Sequence, residues 1–372
     1  MYNLPQGRNV DVRVLEKLLD ENLTTSYKLF WFNGIFKEVI SGNQYINFRK
    51  IVCKMIATAW YPLLEYHLNF GVCDKLYDIV MLIHKKYDIE SDINEVELLL
   101  FLNSLKDMEI EKMISDFYKY VPYRLISPFF SNDLKGLNDY QKNKAIEELS
   151  QIRTEVFYKI DSYNKLISIS NEWFDYIIKN QNIVYGWMNY KLIHFLQKRN
   201  PNVPAIPFKL SAPRQRDLNL AKKVWHKIKS TDIITDIYSN KDLVEENFNI
   251  YGEFSIDHFI PWSFVLHDEL WNLVPTFKRI NSSKNNKLPM LDLYIDKFCE
   301  LQYNAFSVIR ANPGFKRCVE DYLTINKKMD INNLLHKNIR KEEFTNSLKS
   351  TVIPLVQIAY NQGYDMWQND IC

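Results

Sequence analysis

The sequence predicts a mainly α-helical chain that carries one small inserted module of two strands and a helix. Of its 372 residues 47% are hydrophobic and 25% are charged, the balance of an ordinary globular protein. The chain has nine glycines, too few to favour a turn-dense β fold. Apolar residues recur at helical spacing over most of its length, whereas residues 253–277 read as two short strands. This length accommodates two or three packed units.

Residues 10–170 read as successive amphipathic helices, which indicates a helical scaffold. The clearest patterns are YKLFWFNGIFKEVI and FRKIVCKMIATAWYPLLEYHL. Ser91 and Asp92 are good N-cap residues for a third helix, INEVELLLFLNSL. The stretch YVPYRLISPFF has two prolines and is predicted to be a loop or turn.

Positive charge is concentrated between residues 186 and 229, which hold ten basic side chains and one acidic side chain. The centre, NPNVPAIPFKL, has three prolines and predicts an extended linker between two helices. A charged run of this kind is often a solvated face, so its meaning depends on the segment that follows.

The segment from Tyr251 to Pro289 combines side chains suited to phosphodiester hydrolysis. A histidine such as His258 is a natural base for water near neutral pH. A hard divalent cation prefers oxygen ligands, which Asp257 and the amide of Asn281 offer. Lys284 follows Asn281 by three residues, on the same helix face, and is placed to bind phosphate. Asp257 and His258 are adjacent on a predicted strand, so a loop or bulge must bring both to one site, and Asn272 is placed to hold such a loop.

The ordered pattern of these residues resembles the HNH endonuclease signature. It consists of Asp257-His258-x-x-Pro261, Asn272-Leu273-Val274-Pro275 and Asn281-Ser282-Ser283-Lys284. It is most similar to the variant with asparagine at the third position, as in the HNH domain of RNA-guided CRISPR nucleases. The resemblance covers about forty residues and implies a ββα-metal module.

The resemblance also implies a role for each motif residue. Asp257 and Asn281 would be ligands of Mg²⁺ or Mn²⁺, His258 the general base, and Asn272 the residue that orients the His258 loop. Many relatives place a CxxC pair for structural zinc where this chain has Phe277 and Ile280. We therefore expect an apolar plug there and no zinc.

The basic residues become candidates for nucleic-acid contact once they stand beside a nuclease motif. The candidates are Lys209, Arg214, Arg216, Lys222, Lys223, Lys278, Arg279 and Lys287. The expected organisation is a helical domain over residues 1–175, a basic segment over 176–245, the HNH module over 246–292 and a helical region over 293–372.

The leading hypothesis is a metal-dependent DNA endonuclease that acts in bacterial restriction or phage defence. Two alternatives are a nucleic-acid-binding protein with a non-cleaving HNH fold and a nonspecific nuclease toxin that also takes RNA. One HNH module cuts one strand, so a homodimer would account for double-strand cleavage, and any activating partner is unknown. Five scattered cysteines, no signal-like N-terminus and no long apolar run favour a cytoplasmic protein without membrane contact.

Overall fold

The computed structural model describes residues 4–19, 23–71, 74–212, 216–325 and 339–369. The chain divides into two compact units, the first Met1–Pro201 with Ile206–Ala212 and the second Asn202–Ala205 with Pro213–Cys372. The chain passes between the two units within residues 201–213, which overlap the proline-containing segment NPNVPAIPFKL. Within the described ranges, no helix has both the length and the apolarity to cross a membrane.

The first unit is a helical assembly with one small sheet. Its helices are α1 (Val12–Leu18), α2 (Tyr27–Ile40), α3 (Phe48–Leu64), α4 (Lys75–Tyr87), α5 (Glu95–Ser104), α6 (Met108–Asp116), α7 (Val121–Ile126), α8 (Asp139–Ile152), α9 (Asn171–Lys179) and α10 (Gln181–Arg199). Short 3₁₀ helices follow at Phe117–Lys119, Ser127–Phe130 and Ile206–Phe208. Apolar faces at helical spacing bury Trp31 and Trp60 in the core of this unit.

Two local details of the first unit differ from the sequence prediction. Residues 121–130 are helical rather than a loop, because Pro122 lies in the first turn of α7, where its missing N–H costs nothing. Helix α5 is capped by Asn94, whose side chain accepts from Val96 N at 2.8 Å, whereas Ser91 donates its hydroxyl to Glu65.

The purely helical interpretation of residues 10–170 also missed an antiparallel sheet. Its strands are β1 (Tyr45–Asn47), β2 (Tyr158–Asp161) and β3 (Leu166–Ile169), in the order β1-β3-β2. In β2 and β3 every second residue is buried, which is the period of a strand with one face on a core.

The second unit surrounds a two-stranded sheet with helices. Its elements are α11 (Asn219–Thr231), α12 (Glu245–Tyr251), β4 (Phe254–His258), α13 (Trp262–Val265), β5 (Leu273–Phe277), α14 (Lys278–Lys284), α15 (Leu291–Ala311) and α16 (Lys341–Asn361). Two 3₁₀ segments lie at Leu270–Asn272 and Pro313–Ile325. The inserted strand-strand-helix module is therefore present in a mainly helical chain, as predicted.

One hydrophobic core serves the whole second unit. Buried side chains of α11 and the hairpin, such as Trp225 and Val274, belong to the same cluster as Phe298, Phe344 and Trp367 from the helical region that follows. The module thus shares its interior with helices on both sides of it in the sequence.

Candidate active site

Strands β4 and β5 place Asp257 and His258 at one end of the hairpin. The antiparallel ladder is one-to-one from Phe254–Phe277 to His258–Leu273, so there is no bulge, and the connecting loop begins directly after His258. Asp257 is 3% exposed and His258 is 5% exposed. The connection between β4 and β5 is fourteen residues long and contains α13, and it shapes the surroundings of His258.

Asn272 fastens this connection to the strand end. Its amide donates to Ile260 O and accepts from Ile260 N, each at 2.9 Å, and its own carbonyl accepts from Phe259 N at 2.8 Å. The side chain is fully buried. Both polar groups of the amide are used, so the backbone two residues after His258 has a defined position.

The Asp257 carboxylate lies in a buried polar cluster. Lys284 Nζ is 3.0 Å from Oδ2 and 3.2 Å from Oδ1, and it donates to His258 O at 2.7 Å. Tyr238 donates its hydroxyl to Oδ2 at 2.6 Å. Burial lowers the pKa of Lys284, and the neighbouring carboxylate opposes that shift. The side chain predicted to bind phosphate therefore points inward, where it balances the charge of Asp257.

The His258 imidazole is paired with a carboxylate that comes from the connecting loop. Its Nε2 is 2.7 Å from Asp268 Oδ1. Burial lowers the pKa of His258, and the hydrogen bond to Asp268 opposes that effect. Arg216 adds positive charge near the ring, and its guanidinium lies 5.2 Å from the centroid of Trp262. A neutral imidazole is the form that accepts a proton.

The donor atoms at this strand end fit a hard divalent cation. Asn281, in α14, donates its amide N–H groups to Ser255 Oγ and Ile256 O, at 2.8 and 3.0 Å, beside Asp257. Its Oδ1 accepts no hydrogen bond from the described residues. The Asp257 carboxylate has about four lone-pair positions, more than Lys284 and Tyr238 occupy. One carboxylate oxygen and one amide oxygen suit Mg²⁺, which keeps several waters when bound.

Phe277 and Ile280 occupy the positions where the motif resemblance implies zinc-binding cysteines in many relatives, and both are apolar and buried. Phe277 and Ile280 are fully buried, and the Phe277 ring contacts Phe248 and Tyr251 at centroid distances of 5.7 and 5.2 Å. In the part of the chain that the structure describes, no group of three or more His, Cys, Asp or Glu side chains is arranged around a common point. The expectation that zinc is not needed stays a prediction.

Most of the basic candidates lie on the surface of the second unit. The exposed ones are Arg216, Lys222, Lys223, Lys278, Arg279 and Lys287. Lys209, in the first unit, is fully buried, and burial lowers its pKa to about 7. Arg214 lies outside the described residues. Contact of these side chains with nucleic acid stays a prediction, and Lys209 would first have to become exposed.

Two site residues escaped the sequence analysis. Asp268 lies in a polar turn of the type HDE, which is common on protein surfaces, and only the folded connection brings it to His258. Tyr238 precedes the motif by nineteen residues and reaches Asp257 through the tertiary fold. A buried tyrosine usually has a partner for its hydroxyl, but the sequence gives no means to identify that partner.

Comparison with known families agrees with the site geometry. The family described as HNH endonuclease matches residues 236–290, which include Tyr238 and all four motif positions. No curated protein and no solved structure matches the chain. The match and the geometry together identify residues 236–290 as an HNH endonuclease module, so the chain carries a nuclease domain of the HNH family.

Proposed function

We propose that this protein is a divalent-metal-dependent DNA endonuclease and that it serves in bacterial restriction or phage defence. The observation that carries the proposal is that Asp257 and a buried His258 end strand β4 while Asn272 and Asn281 bond to the backbone on either side of them, within residues that match an HNH endonuclease family. The choice of DNA and the biological role rest on the resemblance of the motif to DNA-cutting relatives.

In the proposed reaction His258 takes a proton from the water that attacks phosphorus. Burial lowers the pKa of the His258 ring and so favours the neutral form, and the Asn272–Ile260 hydrogen bonds hold the loop that frames it. Asp257 and Asn281 would hold the divalent cation. When bound, such an ion supplies charge stabilisation to the phosphoryl and leaving oxygens. Lys284 and Tyr238 keep the Asp257 carboxylate in a fixed orientation.

The exposed basic side chains would follow the nucleic-acid backbone. Arg216 lies near His258, Lys222 and Lys223 lie on α11, and Lys278 and Arg279 lie in the first turn of α14. Contacts of this kind position a duplex without reading its sequence.

The test is plasmid cleavage by the purified full-length protein. Supercoiled and linear DNA are incubated with Mg²⁺, with Mn²⁺ and with EDTA, beside a His258→Ala variant. We expect metal-dependent cleavage and a loss of about 10²–10⁴-fold in rate for His258→Ala, the usual contribution of general-base catalysis. Affinity for DNA, measured by fluorescence anisotropy in EDTA, should be retained.

The same assay separates the alternatives. Cleavage that survives His258→Ala would remove His258 as the base. Equal digestion of RNA and DNA would favour a nonspecific nuclease, and binding without cleavage of modified or unmodified DNA would favour a non-cleaving binding protein. Nicked product alone would indicate one active module per event, whereas linear product that rises with the square of protein concentration would support a homodimer.

A further inference from the structure

The connection between β4 and β5 ends in a turn that is hydrogen-bonded to two other elements of the second unit. Leu270 N donates to Asp321 Oδ2 at 2.9 Å, and Thr324 donates its hydroxyl to Glu269 Oε2 at 2.8 Å. Both partners come from the 3₁₀ segment Pro313–Ile325. Gln302, in α15, donates to Leu270 O at 3.1 Å. Asp268 precedes these anchored residues directly, so the turn fixes the backbone from which its side chain reaches His258.

The contact between Asp268 and His258 has the length of a charge-assisted hydrogen bond. The 2.7 Å separation of Oδ1 and Nε2 lies at the short end for a nitrogen donor and a carboxylate oxygen. His258 is almost fully buried, whereas the Asp268 side chain is 33% exposed. A carboxylate accepts and does not donate, so this bond requires the proton of a neutral imidazole to be on Nε2.

We propose that Asp268 is a positioning residue for His258, and that it holds the Nε2 proton so that Nδ1 is the nitrogen that receives the proton of the attacking water. This rests on the proposed function and deepens it. In the step, one water proton passes to Nδ1 while the water oxygen forms a bond to phosphorus and the bond to the leaving oxygen breaks. The resulting imidazolium lies against the Asp268 carboxylate, which stabilises its charge.

Spectroscopy on the full-length protein tests the proposal without requiring any cleavage. The histidines are labelled with ¹⁵N, and the His258 ring signals are assigned by their loss in His258→Ala, in metal-free buffer at a pH where the ring is neutral. We expect the wild-type ring to carry its proton on Nε2. In Asp268→Ala, and in Asp268→Asn, whose amide can pair with either ring form, that preference should be lost.

Kinetics on the same variants give the second readout. The expected result is a fall in kcat of about 10–100-fold for both variants, with KM and melting temperature close to wild type. Asp292→Asn, the same chemical change at an exposed position in α15, is the matched control and should not alter kcat.

The outcomes distinguish this proposal from the proposed function. A wild-type ring with its proton on Nδ1, or an unchanged ring form and unchanged kcat in Asp268→Asn, would overturn the role of Asp268. If the protein cleaves no nucleic acid, the ring form alone still decides whether Asp268 sets it. If cleavage survives His258→Ala, the base assignment of the proposed function fails, whatever the spectra show.

Discussion

The ammonium of Lys284 lies against Asp257, the acid that we propose binds the cation. Lys284 is fully buried and contacts both oxygens of Asp257 as well as the carbonyl of His258. An ionised carboxylate in the interior is costly without a compensating charge. The lysine therefore stabilises the module while no metal is bound, and it fixes the carboxylate orientation that a metal would meet.

Replacement of Lys284 by Met tests this charge balance. The methionine fills similar volume but leaves Asp257 without its ammonium partner, so we expect a loss of about 3–5 kcal/mol in the free energy of unfolding in urea. Saturating Mg²⁺ should restore more stability to Lys284→Met than to the wild type, because a cation that binds the folded state stabilises it. The exposed Lys287→Met is the control. Equal stability of the two variants, with or without Mg²⁺, would contradict the idea.

At the residue scale, the sequence was informative where a motif fixes order and spacing. Asp257, His258, Asn272 and Asn281 could be singled out because their intervals along the chain are characteristic. In the fold the Asn272 amide bonds to Ile260 and the Asn281 amide to Ile256, each within two residues of the Asp257–His258 pair. The inward direction of Lys284 could not be predicted, since helical spacing gives a face but not the depth of the helix in the core. Asp268 and Tyr238 were missed because their contacts depend on the path of the connecting loop.

At the scale of elements, long patterns of apolar residues predicted helices and strands better than single prolines predicted where those elements end. The helices of the first unit, and the strands and helix of the module, occur where the sequence patterns predict them, although β4 and β5 are buried without a two-residue alternation. Pro122 was read as a breaker although the first turn of a helix accepts it. The fourteen-residue connection between β4 and β5 could not be derived, because its shape is set by hydrogen bonds to α15 and to the Pro313–Ile325 segment.

Helix α11 and the residues just before it allow an element-scale test of the basic surface. Neutral replacement of Arg216, Lys222 and Lys223 together with Arg214 should weaken DNA binding. Each lost phosphate contact should reduce the magnitude of the negative slope of log Kobs against log salt by about 0.9. Replacement of exposed lysines in the first unit, Lys50, Lys85 and Lys135, is the control. Unchanged affinity and slope in the first variant would mean that the basic segment is a solvated face.

At the scale of the whole second unit, residues near position 367 complete the nuclease module. Trp367 is 1% exposed. Its backbone N–H donates to Leu288 O at 2.8 Å, and its indole N–H donates to Ser283 Oγ at 3.1 Å. Its ring packs edge-on against Tyr238 at a centroid distance of 5.2 Å. Since Tyr238 is bonded to Asp257, this tryptophan supports the active site through one intermediate side chain.

Replacement of Trp367 by Ala should cost about 3–5 kcal/mol in the free energy of unfolding, the usual range for removing a buried aromatic side chain. Cleavage should fall as well, because Tyr238 loses the surface that holds it against Asp257. The measurement is urea unfolding together with the plasmid assay. Gln368→Ala, one residue further on and exposed, should match the wild type in both. Full stability of Trp367→Ala would show that the segment is not part of the core.

The common core of the second unit limits how its HNH module can be transferred to another protein. Residues 236–290 share one buried core with α11 and with Phe298, Phe344 and Trp367. Transplanted alone into another protein, the matched segment would expose that apolar surface to water and lose the hydrogen bonds that hold Glu269 and Leu270. The portable part of this chain for protein engineering is therefore the whole helical enclosure, from α11 through Trp367, and not the motif that defines the family.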